Sequence, residues 1–121
     1  MSVEELKNRF KRFAIEVATL IKDLPRDTVN NAYCNQLIRC SSSTAANYRA
    51  ACRAKSSADF INKLKIVEEE MDESVFFLEM LQHFNHDLDE SFEKNIKEAN
   101  ELLSITVASI RTSKANRNLN S

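Results

Sequence analysis

Apolar residues recur along the chain at alternating spacings of four and three in four separate runs, the pattern of one buried helix face repeated four times. The first run is Leu6, Phe10, Phe13, Val17, Leu20 and Leu24, widened by Ala14 and Ile21. Ser2 and Glu5 ahead of it have the spacing of a capping box, and Leu24-Pro25 stops it because proline disfavours a helical conformation in the residue before it. Asp27 is placed to cap the next helix after a very short link, which turns the chain back on itself.

The second run sorts onto three faces at about 100° per residue. Tyr33, Leu37, Cys40, Thr44, Asn47 and Ala51 form one stripe, and Cys34, Ile38, Ser41, Ala45, Tyr48 and Cys52 form another beside it. Both are expected to be buried. The opposite stripe, Asn31, Asn35, Arg39, Ser42, Ala46, Arg49 and Arg53, is polar and basic. Between Ser41 and Ala46 no side chain exceeds Thr in size, which marks a place where another helix can approach closely. Asn47 on the first stripe is a candidate for fixing register or assembly, as a buried Asn does in coiled coils, with a local backbone hydrogen bond as the alternative.

This helix is expected to end near Ala54 to Ser56, with Ser56 or Ser57 capping a third that carries Phe60, Leu64, Val67, Met71, Leu78 and Leu81, flanked by Ile66, Phe77, Met80 and Phe84. Its large side chains are expected to fill the space left by the small ones of the second helix. Asn85-His86-Asp87 breaks the pattern, and Asp87 or Asp89 is a candidate cap for a fourth helix through Phe92, Ile96, Ala99, Leu103, Thr106 and Ile110. The spacing predicts an all-α fold, an up-down-up-down antiparallel, left-handed four-helix bundle. One domain spans residues 1–113, and the polar residues 114–121 are expected to fray.

Composition supports this reading. The chain has 121 residues with no Gly and one Pro, which disfavours tight-turned sheets and phosphate-binding glycine loops. A charged amino terminus without an apolar run gives neither a signal peptide nor a membrane span, so a cytoplasmic protein is expected. Cys34, Cys40 and Cys52 lack C-x-x-C spacing and read as reduced, small packing residues. The net charge of −1 conceals a segregation: residues 67–93 hold ten carboxylates and no Lys or Arg, whereas residues 27–66 hold six cations and two carboxylates.

Few residues suggest chemistry. His83 and His86, with Glu79, fall short of the paired Glu-x-x-His motifs of a di-metal bundle, and no nucleophile, base and orienting group are spaced as a triad. No catalytic, metal or cofactor site is expected, and no small-molecule substrate. Arg39, Arg49 and Arg53 lie within an arc of roughly 80° on the polar face of the second helix, suited either to phosphate contacts or to pairing with the acidic third helix.

The run Gln36-Leu37-Ile38-Arg39-Cys40-Ser41-Ser42-Ser43-Thr44-Ala45-Ala46-Asn47-Tyr48, followed by Arg53, Ser56, Asp59-Phe60, Lys63-Leu64, Ile66, Glu68 to Glu70 and Glu73, resembles the bacterial four-helix-bundle proteins encoded in 23S rRNA intervening sequences. Where many members carry Glu-Gly, this chain has Ala50-Ala51, so no role of that pair carries over. The resemblance implies a homo-oligomer, a pentamer, since members and the related accessory proteins of diversity-generating retroelements form such rings. Those accessory proteins bind nucleic acid and a reverse transcriptase, partners that the resemblance extends to this chain as RNA, DNA or a reverse-transcriptase-like protein. Two readings stand side by side: a non-enzymatic oligomeric scaffold that binds nucleic acid or a nucleic-acid-processing protein, and an adaptor that docks a basic protein on its acidic helix without binding nucleic acid.

Overall fold

The computed structural model describes residues 1–119, which form four α-helices, a 3-10 turn and no strand. The helices are α1 (Val3–Lys22), α2 (Thr28–Ala51), α3 (Ser57–Phe84) and α4 (Asp89–Leu119), with the turn at His86–Leu88. Three of the four starts are closed by side chains: Ser2 Oγ accepts from the Glu5 N–H at 3.1 Å, an Asp27 carboxylate oxygen from Asn30 N–H at 2.8 Å, and Ser56 Oγ from Asp59 N–H at 3.1 Å. No described residue has a positive φ, so a chain without glycine makes all its links in ordinary backbone conformations. None of these helices is long and apolar enough to cross a membrane.

Each helix packs beside its sequence neighbours and α1 also packs on α4, which leaves α1 diagonal to α3 and α2 diagonal to α4. Cross-helix contacts fix the directions. Asn30 meets Asn85 and Arg39 meets Glu70 and Glu73, so α2 and α3 are antiparallel. Phe10 stacks on Tyr48 at 4.8 Å, close to the free end of the α1–α2 hairpin. Arg9 reaches Glu98 and Glu101 while Glu16 reaches Lys94, so α1 and α4 are antiparallel too.

The core is built from Phe10, Phe13, Val17 and Leu20 of α1, Leu37 and Cys40 of α2, Leu64, Val67, Met71, Leu78 and Leu81 of α3, and Phe92, Ala99 and Leu102 of α4. Its buried polar residues are satisfied locally: Thr44, Ser74 and Thr106 donate to carbonyls three or four residues back at 2.7–2.8 Å. No buried side-chain nitrogen or oxygen among the described residues lacks a partner.

Several expectations are corrected. The aromatics of α3 do not fill the interior: Phe60 and Phe77 are half-buried, Phe76 and Phe84 are exposed, and Ile61 and Ser74 take interior positions. Small residues meet small ones where α2 crosses α3, with Ser74 Oγ 3.3 Å from Cys40 Sγ, and there is no room for a ring between them. The buried stripe of α4 runs through Asn95 and Leu102, leaving Ile96 and Leu103 half-buried. Asn95 tolerates this because its Nδ2 donates to the Ser91 carbonyl at 2.9 Å. The fourth helix starts directly from the 3-10 turn, with the Asp89 carboxylate 3.4 Å from His86 Nδ1 rather than on a backbone N–H. Helix α2 ends at Ala51, three residues early, and turn-like bonds from Arg53 and Ala54 to Ala50 and Ala51 continue its path. Residues 114–119, expected to fray, continue α4 with every residue exposed, while Asn120 and Ser121 lie outside the described residues.

An amide pair, Asn30 buried and Asn85 half-buried, holds the end of the bundle where α1 passes into α2 and α3 passes into α4. Asn30 Nδ2 donates to Pro25 O at 2.9 Å and to Asn85 Oδ1 at 3.0 Å, and Asn85 Nδ2 donates back to Asn30 Oδ1 at 2.9 Å and to Leu81 O at 2.8 Å. Replacing either Asn by Ala strands the other amide, a loss of about 1–3 kcal/mol in urea unfolding. The double variant is expected to lose less than the sum of the two, which a double-mutant cycle measures directly.

Candidate interaction surfaces

The polar stripe of α2 divides into two parts. Arg39 leans towards α3, where Nη2 lies 3.0 Å from Glu73 Oε2 and Nη1 lies 3.3 Å from Glu70 Oε2. Arg49 and Arg53 are exposed and form no ion pair with any described residue. The three guanidinium groups that share an arc in sequence therefore do different work: one clamps two helices and two face solvent. Asn47 is half-buried and donates to Ser43, through the carbonyl at 3.0 Å and Oγ at 2.9 Å, a contact inside its own helix.

Under Arg39 lies a small polar cluster. The ligand atoms of Cys40, Glu70 and Glu73 come within 4.8 Å of one another, but Arg39 already supplies the positive charge between the two carboxylates. Burial holds the Glu70 carboxyl above its usual range, with Arg39 opposing the shift and Glu73 adding to it. Burial also raises the Cys40 thiol, which keeps it protonated and inert at neutral pH. A stronger cross-helix clamp, missed in sequence, joins Arg9 to Glu98 and Glu101, and the partners are too far apart in sequence for a spacing rule to pair them.

Two apolar features face outward. Along the α2–α3 edge, Tyr33 lies 6.0 Å from Phe77 and 6.5 Å from Phe84, and Phe76 meets Phe77 edge-on at 5.3 Å. Phe76 points away from the core and is 54% exposed. On the adjoining face of the bundle, α1 and α2 leave a groove of about 380 Å³ lined by small residues, Ala14, Ala18, Ser42, Ala45 and Ala46, with Ile15 as its one bulky apolar wall and Lys11 and Arg49 at one end. Ile15 is also 54% exposed.

A sequence model of the 23S rRNA-intervening sequence proteins matches residues 5–108, from the first turn of α1 well into α4. The chain belongs to the 23S rRNA-intervening sequence protein family. Among solved structures it is similar to a protein of unknown function from the S23 ribosomal protein family of Bacteroides thetaiotaomicron, with a TM-score of 0.77 and 28% identity over 87% of this chain and 97% of that one. No curated protein matches the chain.

Within this member of the family the two histidines stand clear of the acidic cluster. His83 packs edge-on against Phe84 at 4.9 Å and lies 6.3 Å from His86, so both belong to the aromatic end of α3.

The Glu70 carboxyl offers a direct check on the clamp. Its raised folded value means that its contribution to stability is present below the ordinary carboxylate range and is lost as pH rises through the raised value. In a carboxyl NMR titration, Glu70 is expected to titrate above an ordinary glutamate, higher still in Arg39→Gln, and lower in Glu73→Gln. An ordinary titration unmoved by either change would refute the clamp.

Proposed function

We propose that this member of the 23S rRNA-intervening sequence family is a non-catalytic scaffold that works as a cytoplasmic homo-oligomer, with five copies the number that the family resemblance implies. The observation that carries the reading is that large apolar side chains, Phe76 and Ile15 among them, stand in solvent on a single chain whose interior is already closed. Phe76 continues edge-on into the rings of Phe77 and Tyr33 along the α2–α3 edge, and exposed apolar surface that is contiguous in this way supports a contact. Nucleic acid or a reverse-transcriptase-like protein is the partner class that the resemblance supplies. On this chain Arg53 is the cation of the α2 face that is available for phosphate and stands outside the α1–α2 groove, whereas Arg49 lines that groove.

A second reading is favoured by the outer face of α3. Glu69, Asp72 and Glu79 are exposed and make no ion pair with any described residue, which suits docking of a basic protein.

Light scattering on the purified protein, with ultraviolet absorbance followed in the same run, tests the scaffold. The expected result is a single species several times the monomer mass, and a monomer at micromolar concentration would overturn it. If nucleic acid binds through the α2 face, replacing Arg53 by Gln flattens the salt dependence of affinity by about 0.9 logarithmic units of slope for the lost phosphate contact. An unchanged slope removes phosphate recognition from that face.

A further inference from the structure

We infer that the ridge of α3 centred on Phe76 seats in the α1–α2 groove of a second copy of this chain, head to tail. The inference rests on the oligomeric reading above and deepens it by naming the two surfaces. At about 100° per residue, Phe76 lies roughly opposite the buried stripe of Val67, Met71, Ser74 and Leu78, so its ring projects straight out from the bundle. Asp72, one turn before it, and Glu79, nearly one turn after, make it an apolar knob between carboxylates. The groove is its complement: a floor of alanines that admits a bulky side chain, the exposed Ile15 as an apolar wall, and the cations Lys11 and Arg49 at its end near the Phe10–Tyr48 stack.

Neither set of charges is used within the chain. Lys11, Arg49, Asp72 and Glu79 form no ion pair with any described residue, so contact between ridge and groove would pair groups that solvent alone now satisfies. The knob cannot reach the groove of its own chain, because α1 is diagonal to α3 across the core. Ridge and groove are different surfaces on different sides of the bundle, so each copy gives one of each to its neighbours. Such a heterologous contact closes into a ring when its rotation permits.

The test uses Phe76→Asp and Ala46→Trp, both at exposed positions of the single chain. Each variant is expected to keep the parent's helical circular dichroism and to run as a monomer, one for lack of a knob and the other for a filled groove. Mixed together they retain one intact ridge and one intact groove, and they are expected to give a species of twice the monomer mass that grows no further. Asp72→Lys combined with Glu79→Lys reverses the charge of the ridge without touching its ring and is expected to dissociate the assembly as well. A parent that is itself monomeric overturns the oligomeric reading together with this one. A parent that assembles, with Phe76→Asp or the doubly charge-reversed variant assembling equally well, overturns the ridge-in-groove contact alone, as does a mixture of the two monomeric variants that stays monomeric.

Discussion

Where α2 meets α3, Cys40 and Ser74 bring two small side chains together, with 3.3 Å between sulfur and oxygen, and most of what surrounds them follows from that approach. Two helices this close leave no space for a ring between them, so the aromatics of α3 are displaced to the edge, onto Tyr33, or out into solvent. The same proximity lets Arg39 span Glu70 and Glu73 across the interface. Phenylalanine rings enter the core instead from α1 and α4, as Phe10, Phe13 and Phe92, while α3 fills it with aliphatic side chains such as Leu64, Met71, Leu78 and Leu81. The bundle is a close pair, α2 and α3, closed by two helices that bring the buried phenylalanines.

That closure separates interior from exterior. Inside, each hydroxyl or amide turns back on its own helix or on a reciprocal partner, and the interior requires nothing from outside. Outside, unpaired carboxylates surround one exposed phenylalanine on α3, and unpaired cations stand by a small-residue groove between α1 and α2. Charge segregation between α2 and α3 thus leaves an acidic ridge on α3 and a groove between α1 and α2 with cations at its end. Arg39 is the exception among the three aligned guanidinium groups, reaching across the surface to Glu70 and Glu73 of α3.

Much of this was legible in the sequence because periodicity is a local property. The four runs, the caps at Ser2, Asp27 and Ser56, and the polar stripe of α2 follow from spacing and residue type. What was not legible depends on contacts distant along the chain. Asn30 in the first turn of α2 and Asn85 just after α3 are ordinary polar residues until folding brings them together, and nothing near Arg9 announces Glu98. Asn95 reads as outward beside Ile96 because it is polar, whereas its amide is satisfied by the Ser91 carbonyl and can be buried. Phe76 belongs to neither apolar stripe of α3, and that absence was the one local sign of the ridge.

Copies of the chain are expected to cover the apolar surface that one copy leaves exposed. Hydroxyl-radical footprinting at working concentration reads the accessibility of individual side chains and measures this directly. Phe76 and Ile15, each 54% exposed on the single chain, are expected to be protected from oxidation and to become reactive on dilution, while Phe84 at 52% stays reactive throughout. Full reactivity of Phe76 and Ile15 at every concentration would contradict it.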